Sequence, residues 1–334
     1  MKPSPLIQTY QELRCLSPDR DIVKNKDDYC EIKPVKSISY VGSFALIVNN
    51  CLGPGMVALP HLFQRAGVIP VILSIIFFSI TSTLGSSLLA ETISKLPGNR
   101  KFDRSISYSS AFRIIMGEEA YILAESLFLI SCGVQAVAAI IVVAQSIDSL
   151  LASLVMGHAY ALQVFPSVQF ISWSPYLCDD SVISQQQSSC IPFGEDGPML
   201  ISLGFVITTA MFLPFGRGLL TETIILQVVV LTIMVILLIT LEAEFVIRGL
   251  SVQLPWFGGS SSEVAGVVLF NYAFTPVVAA WLTEKEPHVS VNNILWSSTS
   301  FSSVIYIVFG LLGAMSFHKI GGNSLVILTS SQVM

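Results

Sequence analysis

Ile47-Val48-Asn49-Asn50-Cys51-Leu52-Gly53-Pro54-Gly55-Met56-Val57-Ala58-Leu59-Pro60 is an apolar run whose middle is poor material for a helix. Pro54 has no N–H to donate and its ring crowds the preceding turn, and Gly53 and Gly55 weaken helix further. Asn49 and Asn50 add two amides at the same depth. The run lies inside a longer apolar stretch, about 38–62, that is long enough to cross a bilayer. Irregular backbone at membrane depth is tolerated only where protein or a water-lined cavity satisfies its polar groups. The stretch therefore predicts a broken membrane helix beside a site, and not a simple proline kink.

The rest of the chain fits that setting. Of the 334 residues, 53% are hydrophobic and only 12% charged, about half the charge of a typical soluble domain. Further spans are expected near 68–93, 120–156, 199–215, 219–247, 262–283 and 293–316. With the first this makes seven, all helical, since an open strand cannot satisfy its backbone in lipid. The 199–215 and 219–247 pair is separated only by Gly216, Arg217 and Gly218, which reads as a tight hairpin. Residues 1–37 are polar and mixed in charge and read as a disordered tail.

Lysine and arginine fix the expected orientation. The tail holds Lys2, Arg14, Arg20, Lys24, Lys26, Lys33 and Lys36, and the 94–118 loop holds Lys95, Arg100, Lys101, Arg104 and Arg113. With the N-terminus in the cytosol, Arg217 and Lys285 also fall inside, and only Arg65, Arg248 and Lys319 fall outside. The 157–198 loop has neither Lys nor Arg. It does hold Cys178 and Cys190, which an oxidising exterior would let pair as a disulfide. It has no N-glycosylation sequon. A seven-helix receptor would suit the span count, but such receptors place the N-terminus outside. No basic patch points to nucleic acid, and there is no P-loop, H-E-x-x-H or C-x-x-C; the four histidines lack ligand spacing.

A second interruption falls in the sixth span, Phe270-Asn271-Tyr272-Ala273-Phe274-Thr275-Pro276. Pro276 frees the carbonyl of Tyr272, with Asn271 and Thr275 polar at the same depth. Interrupted helices at corresponding places in two halves of a chain are the sequence pointer to a transporter site. A half-helix starting after Gly53 aims N–H groups and a partial positive charge at a carboxylate. The half ending near Cys51 offers carbonyls to an ammonium group or a cation. A zwitterionic amino acid matches both. The candidate substrate residues are thus Asn49, Asn50, Cys51, Leu52, Gly53, Pro54 and Gly55 with Asn271, Tyr272, Ala273, Phe274 and Thr275.

Other polar residues are less directive. Ser131, Gln135, Ala138, Val142, Gln145 and Ser149 form a stripe on the third span that either lines a path or joins helices. Ser79, Thr81, Ser82, Thr83, Gly85 and Ser86 on the second span read as close helix packing. Glu91, Glu125, Asp148 and Glu222 lie near membrane edges and read as solvated.

The stretch from Gly53 through Pro60, with Phe63 and Ala66-Gly67, resembles the opening helix of the amino acid/auxin permease family, which includes the sodium-coupled neutral amino acid transporters. Phe270 to Phe274 is similar to its sixth helix, and Glu284, Lys285 and Glu286 to the turn after it. The resemblance implies an inverted-repeat, five-plus-five helix transporter fold with broken helices one and six, and substrate held between them. It implies a cation role for Asn49, with Na+ or H+ as coupling ion, and a plasma, vacuolar or lysosomal membrane. A non-transporting amino acid sensor of the same fold is the alternative. The first repeat would run from about 38 to 247 and the second from about 262. Three of its helices, on the order of 100 residues, would be lacking from this transmembrane domain of 38–334. That predicts a chain that is a fragment or inactive alone.

Overall fold

A computed structural model describes residues 36–96, 99, 102, 106–153, 157–165, 167–174, 199–213 and 220–317. Helix α1 spans Tyr40–Cys51 and opens on Ser39, whose side chain accepts from the Gly42 N–H. A 3-10 turn, Pro54–Ala58, and α2, Leu59–Ala66, continue it after a 47° bend. Then follow α3 (Val68–Lys95), α4 (Tyr108–Met116) and α5 (Glu118–Leu151). Strands β1 (Ala159–Phe165), β2 (Gln169–Trp173) and β3 (Met199–Ser202) form an antiparallel sheet in the order β2-β1-β3. The chain continues through α6 (Leu203–Phe212), α7 (Leu220–Arg248), α8 (Val264–Asn271), α9 (Thr275–Glu284) and α10 (Val291–Ser316).

Two expectations are corrected. Of the fourth expected span, 199–215, the described part, 199–213, is a strand followed by a helix of 10 residues. At about 1.5 Å per residue that helix is about 15 Å long, half a hydrocarbon core. Ser202 caps it, and the Asp148 carboxylate accepts from its Gly204 N–H at 2.7 Å, fastening it along α5. Asp148 is therefore buried and structural rather than solvated. Among the described residues the membrane-length helices number five, or six with the bent α1–α2 pair, and not seven. The fold is mostly helical, consistent with the expected all-α membrane class; the polar 157–198 loop adds β1 and β2, and β1 pairs with β3 as well. Cys178, Cys190, Gly216, Arg217 and residues 1–35 lie outside the described residues.

The core is built by α1, α2, α3, α8, α9 and α10, with α7 behind α1. Small residues let α10 close on α2: a Cβ at Gly310 would sit 2.6 Å from Phe63 Cδ2, and one at Gly313 2.8 Å from Pro60 Cγ. The ends of the two broken helices are joined on both sides. At one end Ser37 and Ile38 donate their N–H groups to the Glu284 carbonyl, Glu286 N–H donates to Ile38, and Trp281 Nε1 donates to Ser43 Oγ at 2.8 Å. At the other, Arg65 meets Glu263 at 2.7 Å, an exposed pair worth little by itself. These joints hold the two breaks at the same level.

Candidate transport site

The first break follows from Pro54. Leu52 N–H still reaches Val48 O, at 2.7 Å, but Gly53 N–H turns to Cys51 O and Pro54 has none to give. The carbonyls of Asn49 and Asn50 thereby lose their helical donors. The helix resumes at Pro54, after Gly53 as expected, but as a 3-10 turn. Around Gly53 the space is open; a Cβ there would meet only the Cys51 carbonyl oxygen, 3.8 Å away.

The second break is shallower. Tyr272 N–H bonds Leu269 O and Ala273 N–H bonds Phe270 O, both in 3-10 fashion, before α9 starts at Thr275. Pro276 leaves the Tyr272 carbonyl without its helical donor. Ser82 Oγ on α3 supplies one instead, at 2.5 Å. Ser86 Oγ lies 3.0 Å from Thr275 Oγ1, and Gln135 Nε2 reaches the Ala273 carbonyl from α5 at 3.5 Å.

The two breaks face one another through Gly55 and Asn271. A Cβ on Gly55 would lie 2.9 Å from Asn271 Cγ and closer still to Oδ1. Glycine is needed for space, since its φ is not left-handed. Asn271 is 1% exposed, and neither its Oδ1 nor its Nδ2 has a hydrogen-bond partner. An unpaired amide in such a place costs roughly 1–3 kcal/mol, so this one is poised for a ligand that both donates and accepts. Asn49 is the other polar group at the break. Its Nδ2 donates to the carbonyl and Oε1 of Gln227 on α7, at 2.8 and 2.7 Å, which leaves Oδ1 buried and unpaired.

Some expected site residues are placed differently. Asn50 is exposed and folds its amide back on the Leu46 carbonyl. The Cys51 carbonyl is not free, because it accepts from both Gly53 N–H and the Tyr306 hydroxyl of α10. Cys51, Leu52, Tyr272 and Phe274 are buried in the core. Tyr272 stands edge-on to Tyr306, ring centroids 5.7 Å apart, and its hydroxyl lies 2.6 Å from Ser303 Oγ, which donates to the Thr299 carbonyl at 2.7 Å and lies 3.1 Å from Ser79 Oγ. Ser82, Ser86, Gln227 and Tyr306 escaped sequence reasoning. The serines carried a signal, since they sit in a hydroxyl-rich run, but it read as packing. The stripe on α5 does turn inward: Ser131, Gln135, Ala138, Val142 and Gln145 are half-buried and Ser149 is buried, while their neighbours Val134 and Val137 face out. Among the described residues no cluster of His, Cys, Asp or Glu could hold a metal ion.

Five membrane-length helices and a bent pair among the described residues define an integral, multi-pass membrane protein. Residues 36–325 match the family described as transmembrane amino acid transporter protein, and the chain belongs to that family. It is a transporter family and not an enzyme family, so the expected resemblance and the absence of an enzyme role both stand. Neither the curated proteins nor the solved structures searched give a match.

Proposed function

We propose that the chain moves amino acids across a membrane by alternating access, with the substrate held where the α1–α2 and α8–α9 breaks face one another. The observation that carries this reading is Asn271, whose buried amide has both polar atoms unpaired against the backbone of Gly55. A carboxylate would accept from its Nδ2 and an ammonium group would donate to its Oδ1, and the open space at Gly53 admits a ligand to the break. On this reading the breaks open the two halves of an inverted five-plus-five repeat. Asn49 Oδ1 serves the coupling cation, Na+ or H+, in symport with the substrate. The N-terminus lies in the cytosol, and the membrane is that of the cell surface, vacuole or lysosome.

The test is uptake of radiolabelled amino acids into proteoliposomes by the wild type and by Asn271→Leu, each checked for insertion. Saturable uptake lost in the variant supports the proposal. Binding without uptake at any ion gradient would replace transport with amino acid sensing, and uptake undiminished in Asn271→Leu would move the site elsewhere.

A further inference from the structure

Proline creates a debt at each break. A carbonyl that would be bonded within a helix is left at membrane depth, where no water substitutes and an unpaired group is costly. The carbonyls that Pro54 and Pro276 free are those of Asn50 and Tyr272; a hydroxyl from a neighbouring span reaches the second of these and, at the first break, the adjacent Cys51 carbonyl, which also accepts from Gly53 N–H. Tyr306 of α10 donates to the Cys51 carbonyl, at the end of α1. Ser82 of α3 donates to the Tyr272 carbonyl, between α8 and α9. The two devices meet, since Tyr272 and Tyr306 are in edge-on contact and the Tyr272 hydroxyl leads through Ser303 to Ser79, three residues from Ser82 on α3. Cys51 lies four residues from Gly55, and Tyr272 follows Asn271. The bonded carbonyls thus flank the point at which the two breaks touch.

We infer that Tyr306 and Ser82 are positioning residues of the transport site: each fixes, by hydroxyl donation, a carbonyl at one break, and together they hold Gly55 and Asn271 in register. This rests on the site proposed above. Neither residue needs to touch the substrate. Without Ser82 the Tyr272 carbonyl turns toward another donor, and without Tyr306 the Cys51 carbonyl is left to the Gly53 N–H alone. The break then tightens and Asn271 loses its setting. Packing alone does not account for the arrangement. The Tyr306 ring is already buried against Tyr272, and of the α3 hydroxyls Thr81 and Thr92 bond only within their own helix while Thr83, Ser86 and Ser87 reach other side chains, so Ser82 is set apart by bonding a backbone carbonyl of the break.

The experiment measures the dissociation constant of a panel of radiolabelled neutral, acidic and basic amino acids on the purified full chain in nanodiscs. Ligand-free melting is measured in parallel. The variants are Tyr306→Phe, which keeps the ring, Ser82→Ala, Ser82→Thr and, as a control, Ser87→Ala, whose hydroxyl donates to Asn292 and to neither break. The expected result is a roughly 5- to 30-fold weaker Kd in Tyr306→Phe and in Ser82→Ala, the factor given by losing one buried hydrogen bond. Ser82→Thr restores the wild-type value, and Ser87→Ala does not depart from it. A merely structural role would lower the melting temperature and leave the Kd of the folded fraction unchanged, which overturns the inference. Wild-type protein that binds none of the panel would remove the site itself, and the inference with it. Asn271→Leu is included to separate the two failures: it abolishes binding if the site is right, whatever Tyr306 and Ser82 do.

Discussion

Replacing Gly55 by alanine adds one carbon at the point where the two breaks touch. The new Cβ would lie 2.9 Å from Asn271 Cγ and 3.1 Å from Nδ2, both inside ordinary contact distance. Asn271 is too short and too buried to swing clear, so the backbone of one break must shift. Overpacking of this kind typically costs 1–3 kcal/mol, which is roughly a 5- to 150-fold loss if it falls on the bound geometry. The assay is a double-mutant cycle of Gly55→Ala and Asn271→Ala, read by thermal melting and by amino acid binding. Trimming Asn271 removes the atoms with which the new methyl collides. The two changes are therefore expected to couple by about 0.5–3 kcal/mol in melting, with Gly55→Ala nearly harmless in the Asn271→Ala background. Strictly additive effects on melting would refute the contact, and wild-type binding by Gly55→Ala would refute its part in the site.

Three further outcomes are expected. Gln227→Leu removes one of the two acceptors that orient the Asn49 amide and leaves the backbone carbonyl, so the sodium or pH dependence of uptake shifts while the protein still inserts, and Asn49→Ala shifts it further; an ion dependence unaltered in both separates Asn49 from coupling. Gly310→Ala drives a methyl into Phe63, already 2.6 Å from the ideal Cβ position, and costs about 1–3 kcal/mol in melting with no direct contact at either break. Lys285, just past α9, is buried under Phe102, donates to the Val289 carbonyl and is held below the ordinary lysine value of 10.5, first by burial and then by Lys36. Below its lowered pKa the native state carries this costly charge; as pH rises from there toward 10.5 the native lysine loses its proton before the unfolded one does, so stability increases across that window. Lys285→Met abolishes that part of the pH slope in a melting series.

The two breaks were legible because proline and glycine act locally. Pro54 and Pro276 break hydrogen bonds whatever surrounds them, and both breaks fall where the sequence puts them. The exposed Asn50 and the occupied Cys51 carbonyl were not legible, since they depend on which way a helix faces and on a tyrosine 255 positions away. The same holds for Asn49, whose amide is turned by Gln227 from α7. The misread fourth span has a different cause. Residues 199–215 are apolar enough to cross, but Ser202 caps a helix there and Asp148 holds its start, so hydropathy counted residues that three-dimensional contacts had already divided between strand and helix. The small sheet was missed because its strands sit in a loop whose acidic, lysine-free composition speaks to orientation rather than to structure.

The central claim is that an amino acid sits between the two breaks against Asn271. Equilibrium binding of radiolabelled amino acids to the purified chain, wild type beside Asn271→Leu, tests it most directly. The account predicts saturable binding to the wild type and none to a variant that melts normally. Equal binding by both proteins would contradict it.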